Sequence, residues 1–419
     1  MILLSSLGIT IASSIVVFLI FLMALLTLIL YAKAKLTSSG LVRLTINGEK
    51  TLEVPAGDSI LSTLGSNKIF LPSACGGGGT CSLCKCQVMD GGGEILPTEA
   101  PYFTRKEIQE KWRLGCQVKV KEDMNIQIPD EIFGIQKWEC TVTSNDSVAT
   151  FIKELDLALP EGEVLKFENG GYIQIDIPEY EIDFAADIKP LIEDEYRPDW
   201  DNMQLWDLKG KNDEDIFRAY SMANHPAEGS RVMLNVRIAT PPFDRAKGRF
   251  MDVLPGLAST YIYALKPGDK VTISGPYGEF FIQDTDREMV FIGGGAGMAP
   301  MRSHIFHLFH TEKTKRKTSF FYGARSVREM FYDDQFKSIE DDFENFKYTV
   351  GLSDPLDEDN WEGPLGFIHD VAFNEYLKDH PAPEDIEYYL CGPPLMLSAV
   401  MNMLDNLGVE PEMIRFDEF

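Results

Sequence analysis

The chain has 419 residues, 44% of them hydrophobic and 25% charged, which is an ordinary globular composition with room for two to four domains. Its 65 Asp and Glu outnumber its 39 Lys and Arg, so the formal net charge is −26. Nucleic acid and anionic lipid headgroups repel such a surface. The charge therefore disfavours a nucleic-acid partner, and contact with a membrane requires a hydrophobic segment.

An apolar run opens the chain. Residues 7–31 carry no charged side chain, and 25 helical residues are long enough to cross a hydrocarbon layer of about 30 Å. Lys33, Lys35 and Arg43 follow the run, which places the remainder of the chain in the cytoplasm by the positive-inside rule. The pattern predicts a transmembrane helix within residues 1–36. A cleaved signal peptide is the alternative, but no basic residues precede the run.

The next segment predicts a hairpin and a short helix. Residues 42–46 alternate in polarity, Asn47-Gly48 marks a turn, and residues 52–54 form the second predicted strand. Asp58 is placed to cap a helix that ends near Leu64.

A cysteine-rich loop follows the hairpin and helix. Four of the seven cysteines lie between Cys75 and Cys86, which indicates a metal site rather than a disulfide framework. Four thiolates are the ligand set of a [2Fe–2S] cluster, and glycines allow backbone N–H groups to approach its sulfides. The predicted ligands are Cys75, Cys81, Cys84 and Cys116, whereas Cys86 and Cys140 are predicted to be packed thiols. Zinc is the competing metal, although its sites usually pair two close cysteine knuckles.

The hairpin, the helix, the glycine-rich loop and the late cysteine resemble, in that order, the plant-type ferredoxin family. This resemblance implies a β-grasp fold over residues 37–135. One spacing departs from the family: five residues separate Cys75 from Cys81, where four are usual.

Residues 136–286 predict an antiparallel β-barrel, because many short strands alternate there with turn residues. Within this region, residues 178–214 are acidic and irregular, and we expect them to form a surface insertion. Three short motifs of the barrel region point to a flavin. They are Arg218-Ala219-Tyr220-Ser221, then Gly256 with Ser259 and Thr260 at a helix start suited to a phosphate, then Gly278 in a turn-rich strand pair.

The three motifs in this order resemble the ferredoxin–NADP reductase superfamily. The resemblance implies that Arg218 pairs with the FAD pyrophosphate, that Tyr220 packs on the isoalloxazine, and that Ser221 hydrogen-bonds near flavin N5. FMN is the alternative flavin.

Residues 287–419 predict a parallel α/β sheet, since short buried strands alternate with helical stretches. The predicted strands are residues 289–292, 319–322, 347–350 and 388–390, and a helix is predicted over residues 301–309. Each of three strands is followed by a candidate nucleotide motif. The motifs are Gly293-Gly294-Gly295-Ala296-Gly297, then Arg325-Ser326, then Cys391-Gly392-Pro393. The glycine loop opens a helix, a position that favours a pyrophosphate.

The same superfamily resemblance implies that Cys391 lies beside the nicotinamide and that the terminal aromatic, Phe419, covers the flavin face. A buried strand-end thiol and a terminus without function are the simpler alternatives. Arg325 and Ser326 are also suited to a 2′-phosphate, so NADPH stays open beside NADH.

Together, the four segments resemble the NADH-oxidising subunits of bacterial sodium-translocating NADH:quinone oxidoreductases. The resemblance implies an enzyme of the inner membrane whose soluble domains face the cytoplasm and whose partners are the membrane subunits of that complex. Hydride would pass from NADH to FAD, and single electrons would pass to the cluster and on to quinone. A flavin is required between a two-electron donor and a one-electron centre. Ser221, Cys391 and Phe419 are the predicted catalytic residues.

Two other functions stay open from the sequence. The reductase component of a soluble oxygenase has the same three modules but needs no membrane anchor. A non-enzymatic, membrane-held iron–sulfur carrier needs neither the motif at 218–221 nor the one at 293–300.

Overall fold

A computed structural model of the chain describes residues 14–28, 40–244 and 248–417. The chain divides into two compact units. The first comprises Met1–Ser73 and Gly77–Gly134, and the second comprises Ala74–Gly76 and Ile135–Phe419.

Residues 14–28 form a helix, α1, whose side chains are exposed. Within the described ranges, no helix combines the length and apolar character needed to cross a membrane. The predicted transmembrane segment, residues 7–31, lies partly outside the described residues.

The first unit is built on one mixed sheet. Its strands are β1 (Leu41–Ile46), β2 (Lys50–Pro55), β3 (Lys85–Asp90), β4 (Trp112–Leu114) and β5 (Met124–Gln127). Their order in space is β2-β1-β5-β3-β4, and β1 runs parallel to β5 while the other pairs are antiparallel. The predicted hairpin is confirmed, because β1 and β2 pair across the Asn47-Gly48 turn.

Helix α2 (Ile60–Ser66) of the first unit packs its apolar side on the unit's core, where Ile60 and Leu64 are fully buried. Ser59 caps it, because the Ser59 hydroxyl accepts the backbone N–H of Ser62 at 3.1 Å. The prediction of Asp58 as the cap is therefore wrong by one residue. A second short helix, α3 (Arg105–Gln109), begins at a capping box.

The second unit begins with a six-stranded antiparallel sheet. Its strands are β6 (Gln136–Ala149), β7 (Ile152–Ala158), β8 (Tyr172–Ile177), β11 (Ile216–Ser221), β12 (Arg231–Arg237) and β15 (Lys270–Tyr277). Their order is β11-β8-β15-β6-β7-β12, and a bridge between Met222 and Leu234 joins the two outer strands. The sheet thus closes on itself as the predicted barrel, with Leu155, Ile175 and Ile273 among its fully buried core residues.

Two small hairpins and two helices complete the barrel region. They are β9 (Tyr180–Asp183) with β10 (Lys209–Asn212), β13 (Phe243–Asp244) with β14 (Arg249–Phe250), α4 (Arg197–Asn202) and α5 (Leu257–Ala264).

The predicted surface insertion, residues 178–214, is more ordered than we expect from its sequence. It forms the β9–β10 hairpin and α4, and it places Phe184 and Trp200 fully inside the barrel core. The indole N–H of Trp200 donates to the backbone oxygen of Thr150 at 2.8 Å. Widely spaced apolar residues in an acidic stretch carry no clear periodicity, so the sequence does not reveal this buried side.

The last part of the second unit is a parallel sheet. Its strands are β16 (Met289–Gly294), β17 (Thr318–Ala324), β18 (Phe346–Leu352), β19 (Glu387–Cys391) and β20 (Ile414–Asp417). Its helices are α6 (Met298–Phe306), α7 (Asp333–Asp342), α8 (Ile368–Glu375) and α9 (Pro394–Asn406). All four predicted strands are confirmed within a few residues. The predicted helix at 301–309 begins earlier, at Met298, and continues as a short π-helix at His307–Thr311.

The strand order β18-β17-β16-β19-β20 reverses its direction at β16. In open parallel sheets a ligand binds in the crevice at the carboxyl ends of the strands where this reversal occurs. The topology therefore predicts a ligand site at the loops after β16 and β19.

Candidate cluster loop and flavin–nucleotide site

Three of the four predicted cluster ligands lie in the first unit. Cys84 and Cys116 are buried and Cys81 is half-buried. The backbone N–H of Cys116 donates to Sγ of Cys84 at 3.4 Å. Cys75, also half-buried, belongs to the stretch Ala74–Gly76 that is grouped with the second unit.

The loop between Cys75 and Cys81 follows a path suited to glycine. The backbone φ is +64° at Gly76, +90° at Gly77 and +76° at Gly79, a region that other residues rarely adopt. A Cβ on Gly79 would lie 2.5 Å from Nε2 of Gln117, whose amide donates to Sγ of Cys116 at 3.5 Å. The loop thus runs close beside a hydrogen-bonded thiol, as a cluster-binding loop requires.

The electrostatics of the thiols favour a cationic partner. The hydrogen bond with Cys116, together with burial, raises the pKa of the Cys84 thiol above its ordinary value. Two adjacent thiolates repel each other, so they form together only beside a cation such as iron. Among the described residues, no three His, Cys, Asp or Glu side chains are arranged to hold a metal ion. In a [2Fe–2S] cluster, four thiolates are shared between two irons, and the donor set present here fits that requirement.

The two other cysteines of interest lie in hydrophobic cores. Cys86 in β3 and Cys140 in β6 are fully buried, as predicted for packed thiols. Burial raises the pKa of each to about 12, which keeps both thiols protonated and inert at neutral pH.

Strand β11 carries the predicted flavin motif at the seam where the barrel closes. Side chains alternate along a strand, so Arg218 and Tyr220 share one face while Ala219 and Ser221 share the other. All four are half-buried. Nη1 of Arg218 donates to the neighbouring carbonyl of Phe217 at 2.7 Å, and burial raises the pKa of the Tyr220 phenol, which therefore stays neutral.

The last residue of this motif reaches the parallel sheet. Oγ of Ser221 donates to Oδ2 of Asp417 at 2.5 Å, and Asp417 pairs in register with Cys391 on the neighbouring strand. Burial raises the pKa of Asp417, and the hydrogen bond from Ser221 partly opposes that rise. Burial, followed by the nearby charge of Asp417, also raises the pKa of the Cys391 thiol. A hydroxyl, a carboxyl and a thiol from three strands therefore meet at one edge.

Asp417 is a site residue that sequence reasoning misses. Its only signal is its position two residues before the terminal aromatic. Phe419 itself lies outside the described residues.

Helix α5 begins at the predicted phosphate motif. Gly256 is its N-cap, and a Cβ there would lie 2.6 Å from the Cβ of Ala239. The Ser259 hydroxyl donates to the Gly256 carbonyl at 3.2 Å and accepts the Ala239 N–H at 3.1 Å, while Thr260 is fully buried. The Ser259 hydroxyl thus stabilises the helix start, so the free backbone N–H groups of the first turn are the better partners for a phosphate.

Gly278 directly follows β15 in a tightly packed turn. A Cβ at this position would lie 2.5 Å from Cζ of Phe281 and 3.3 Å from Cα of Gly171. A side chain at this position would therefore have to displace the Phe281 ring.

The loops after β16 and β19 face each other at the reversal of strand order. Gly293 pairs in register with Cys391, and a Cβ on Gly297 would lie 2.2 Å from the Cys391 carbonyl oxygen. Gly295 has a φ of +58°, so it is needed for the turn, whereas Gly297 is needed for packing. Ala296 lies between them in the short 3-10 turn that precedes α6.

The remaining predicted nucleotide residues lie at the same carboxyl edge. Arg325 and Ser326 follow β17, the first exposed and the second buried. Gly392 and Pro393 follow β19, and a Cβ on Gly392 would lie 2.5 Å from Cε of Met396. The structure thus gathers the three nucleotide motifs at the crevice that the topology defines.

Three family models match the chain in succession. Residues 44–121 match a 2Fe-2S iron-sulfur cluster binding domain, residues 204–282 an oxidoreductase FAD-binding domain, and residues 291–402 an oxidoreductase NAD-binding domain. Fold and site together define a flavin- and iron–sulfur-dependent oxidoreductase that uses a nicotinamide nucleotide.

Whole-chain relatives narrow this class to one family. A protein of Pseudomonas paraeruginosa is 55% identical over 398 residues, 95% of each chain, and one of Mannheimia succiniciproducens is 56% identical over 399 residues, 95% of this chain and 96% of the relative. Both are named as the F subunit of Na(+)-translocating NADH-quinone reductase. The chain belongs to the family of these F subunits.

Solved structures share the fold at lower identity. The Amycolatopsis cytochrome P450 reductase GcoB aligns with a TM-score of 0.61 at 22% identity, over 90% of this chain and 98% of that one. A ferredoxin reductase of carbazole 1,9a-dioxygenase aligns with a TM-score of 0.57 at 24% identity, over 91% and 98%.

Proposed function

We propose that this chain is the NADH-oxidising subunit of a membrane-associated, sodium-translocating NADH:quinone reductase. Hydride passes from NADH to FAD, and single electrons then pass to the [2Fe–2S] cluster. Identity of 55% over 95% of the chain to relatives with that name supports the assignment. The observation that carries the chemistry is the hydrogen bond from Ser221 of the flavin strand to Asp417 of the nucleotide sheet, because hydride transfer requires these two surfaces to meet.

The proposed roles follow from the resemblance to the ferredoxin–NADP reductase superfamily. Arg218 would pair with the FAD pyrophosphate, Tyr220 would pack on the isoalloxazine, and Cys391 would line the nicotinamide position. Bound FAD supplies the conversion from two-electron to one-electron transfer. The Ser221 hydroxyl, which here donates to Asp417, would hydrogen-bond near N5 of bound FAD. Burial raises the pKa of Asp417, so its carboxylate is a stronger proton acceptor than an exposed aspartate.

The loops hold the nucleotides through backbone groups. The glycine loop at 293–297 and the start of α6 offer N–H groups to the NADH pyrophosphate, and the turn after Gly392 leaves space beside it. The first turn of α5 offers the same groups to the flavin phosphate. Cys75, Cys81, Cys84 and Cys116 hold the cluster.

We propose domain limits at residues 1–36, 37–135, 136–286 and 287–419. The division of the chain after Gly134 and the three family matches support the last three segments. For the first, the helical residues 14–28 lie in the middle of an uncharged run, which supports a single membrane span.

The partners in this proposal are the membrane subunits of the complex in a bacterial inner membrane, with quinone as the final acceptor. The run at 7–31 contains no carboxylate, so the sodium path belongs to those other subunits. The oxygenase-reductase function has only a shared fold at 22–24% identity in its favour. The non-enzymatic carrier is disfavoured because the FAD and NAD family models both match.

A visible spectrum of the purified full-length chain, recorded without oxygen before and after NADH, tests this function. We expect flavin and cluster absorbance at the start and bleaching of both on addition of NADH. Protein that is colourless, or that contains iron but no flavin, would contradict the proposal.

The role of Phe419 requires its own test. Because it would cover the flavin face that the nicotinamide must occupy, Phe419→Ala should change the KM for NADH. Phe416→Ala is the matched control, since Phe416 lies on β20 and is 49% exposed. Equal kinetics for wild type and Phe419→Ala would refute the covering role.

A further inference from the structure

We infer that Asp354 makes this chain select NADH over NADPH, by neutralising the arginine that follows β17. The inference rests on the proposed function and names the residue that sets the choice of nucleotide. The sequence motif and the family indicate different nucleotides. Arg325 is the type of residue expected in an NADPH site, whereas the relatives are named for NADH.

The position of Arg325 follows from the topology. In doubly wound sheets the pyrophosphate lies on the glycine loop after one strand, and a residue near the end of the next strand reaches the 2′ position of the ribose. An acidic residue there accepts the 2′-hydroxyl of NADH, and an arginine accommodates the 2′-phosphate of NADPH. Here the glycine loop follows β16, and Arg325 follows the adjacent parallel strand β17.

Asp354 contacts Arg325 through both a backbone hydrogen bond and a side-chain ion pair. Its N–H donates to the Arg325 carbonyl at 2.8 Å, and its Oδ2 lies 3.1 Å from Nη2 of Arg325. The preceding residue, Ser353, donates its N–H to the Ala324 carbonyl at 3.0 Å. The loop after β18 is therefore held against the loop after β17, and the carboxylate stays beside the guanidinium.

A second carboxylate is held against the same loop. Oδ2 of Asp359 accepts the backbone N–H of Val327 at 3.1 Å and that of Leu356 at 2.9 Å. Two carboxylates therefore contact the loop after β17, one at Arg325 and one at Val327.

This arrangement penalises the additional phosphate of NADPH. A phosphate monoester carries a charge of about −1.5 to −2 at pH 7, so it would have to displace Asp354 from Arg325 and then lie near the displaced carboxylate. The neutral 2′-hydroxyl of NADH meets neither obstacle. The ion pair itself is exposed, with 64% and 70% of the two side chains accessible, so its removal should leave the fold intact.

The test compares Asp354→Asn with Glu358→Gln in the full-length, cofactor-loaded protein, using ferricyanide as electron acceptor. Glu358→Gln removes the same charge from the same loop, and its exposed side chain is not the one paired with Arg325. For Asp354→Asn we expect kcat/KM for NADPH to rise roughly tenfold through a lower KM, because one nearby repulsive charge is removed. We expect kcat/KM for NADH to change less than twofold.

The double variant Arg325→Gln with Asp354→Asn should lose the gain for NADPH, since the cation that the change exposes is gone. An unchanged NADPH value in Asp354→Asn, or an equal gain for NADH or in Glu358→Gln, would overturn the inference. Failure of the wild-type protein to oxidise NADH would instead refute the proposed function, so the two failures are distinguishable.

Discussion

The thiol loop and the flavin–nucleotide edge are two redox sites built in opposite ways. Three of the four proposed cluster ligands, Cys75, Cys81 and Cys84, fall within one short glycine-rich loop. At the other site, Ser221 and Asp417 are 196 residues apart and meet only because the barrel and the parallel sheet pack together. The residues of a local site are adjacent in the sequence, so a motif can reveal them. The residues of a non-local site come together only when the chain folds.

The two regions also differ in charge. Residues 40–134 contain 10 Lys and Arg against 12 Asp and Glu, whereas residues 135–419 contain 27 against 53. The acidity of the chain therefore belongs almost entirely to the flavin and nucleotide region, which anionic lipid repels. The proposed membrane helix precedes the nearly neutral region, which is the part that tolerates a membrane surface.

The largest expected effect separates the two sites completely. Cys81→Ala should abolish the cluster absorbance, because it removes one of four ligands, while NADH still reduces the flavin at close to the wild-type rate. Absorbance spectra and stopped-flow flavin reduction measure the two outcomes in one sample. If flavin reduction failed as well, the sites would not be independent.

Cys86→Ala is the matched control for this substitution. Cys86 lies five residues further along, is fully buried in β3, and is not among the proposed ligands. We expect it to lower the free energy of unfolding by about 1 kcal/mol through a small cavity and to leave the cluster spectrum unchanged.

This contrast also explains how much the sequence reveals. The hairpin, the barrel, the four parallel strands and the glycine loop follow from periodicity and turn residues, which are local signals. The cap at Ser59, the buried side of residues 178–214 and the role of Asp417 depend on contacts with distant residues. The spacing of residues along the sequence does not predict such contacts, so only the structure shows them.

The second largest effect concerns the non-local site. Ser221→Ala should slow flavin reduction by NADH roughly 10²-fold, because it removes the hydroxyl that we propose hydrogen-bonds near flavin N5. Stopped-flow measurement at saturating NADH isolates this step. Ser274→Ala is the control, since Ser274 is a buried barrel hydroxyl bonded to Tyr277 at 3.2 Å. Equal rates for the two variants would remove Ser221 from the mechanism.

The glycine loop allows a comparison between packing and conformation. Gly297→Ala would force a Cβ to within 2.2 Å of a backbone oxygen, so we expect a loss of roughly 3 kcal/mol or more in the free energy of unfolding. Gly295→Ala meets nothing nearer than 4.0 Å and should lose only about 1 kcal/mol, from its φ of +58°. Denaturant unfolding of both variants measures the difference. Similar losses would show that the turn, and not the packing against Cys391, makes glycine necessary.

The last prediction concerns a buried histidine that links the parallel-sheet region to the barrel region. His304 of α6 is fully buried, and its Nδ1 lies 2.9 Å from the side-chain amide nitrogen of Asn169 in the barrel region. Burial lowers the pKa of His304 to about 3. In the unfolded chain a histidine titrates near 6.5. Below that pH the unfolded state therefore binds a proton at this residue, whereas the folded state does not.

The free energy of unfolding should therefore fall as the pH drops from about 6.5 toward 3, by up to about 1.4 kcal/mol per pH unit from this residue. His304→Gln keeps a polar group beside Asn169 but cannot titrate, so its stability should depend less steeply on pH. His369→Gln, at a half-buried position in α8, is the control. Thermal unfolding between pH 7.5 and 5 measures the slopes, and equal slopes for wild type and His304→Gln would mean that burial does not lower the pKa of His304 in the folded protein.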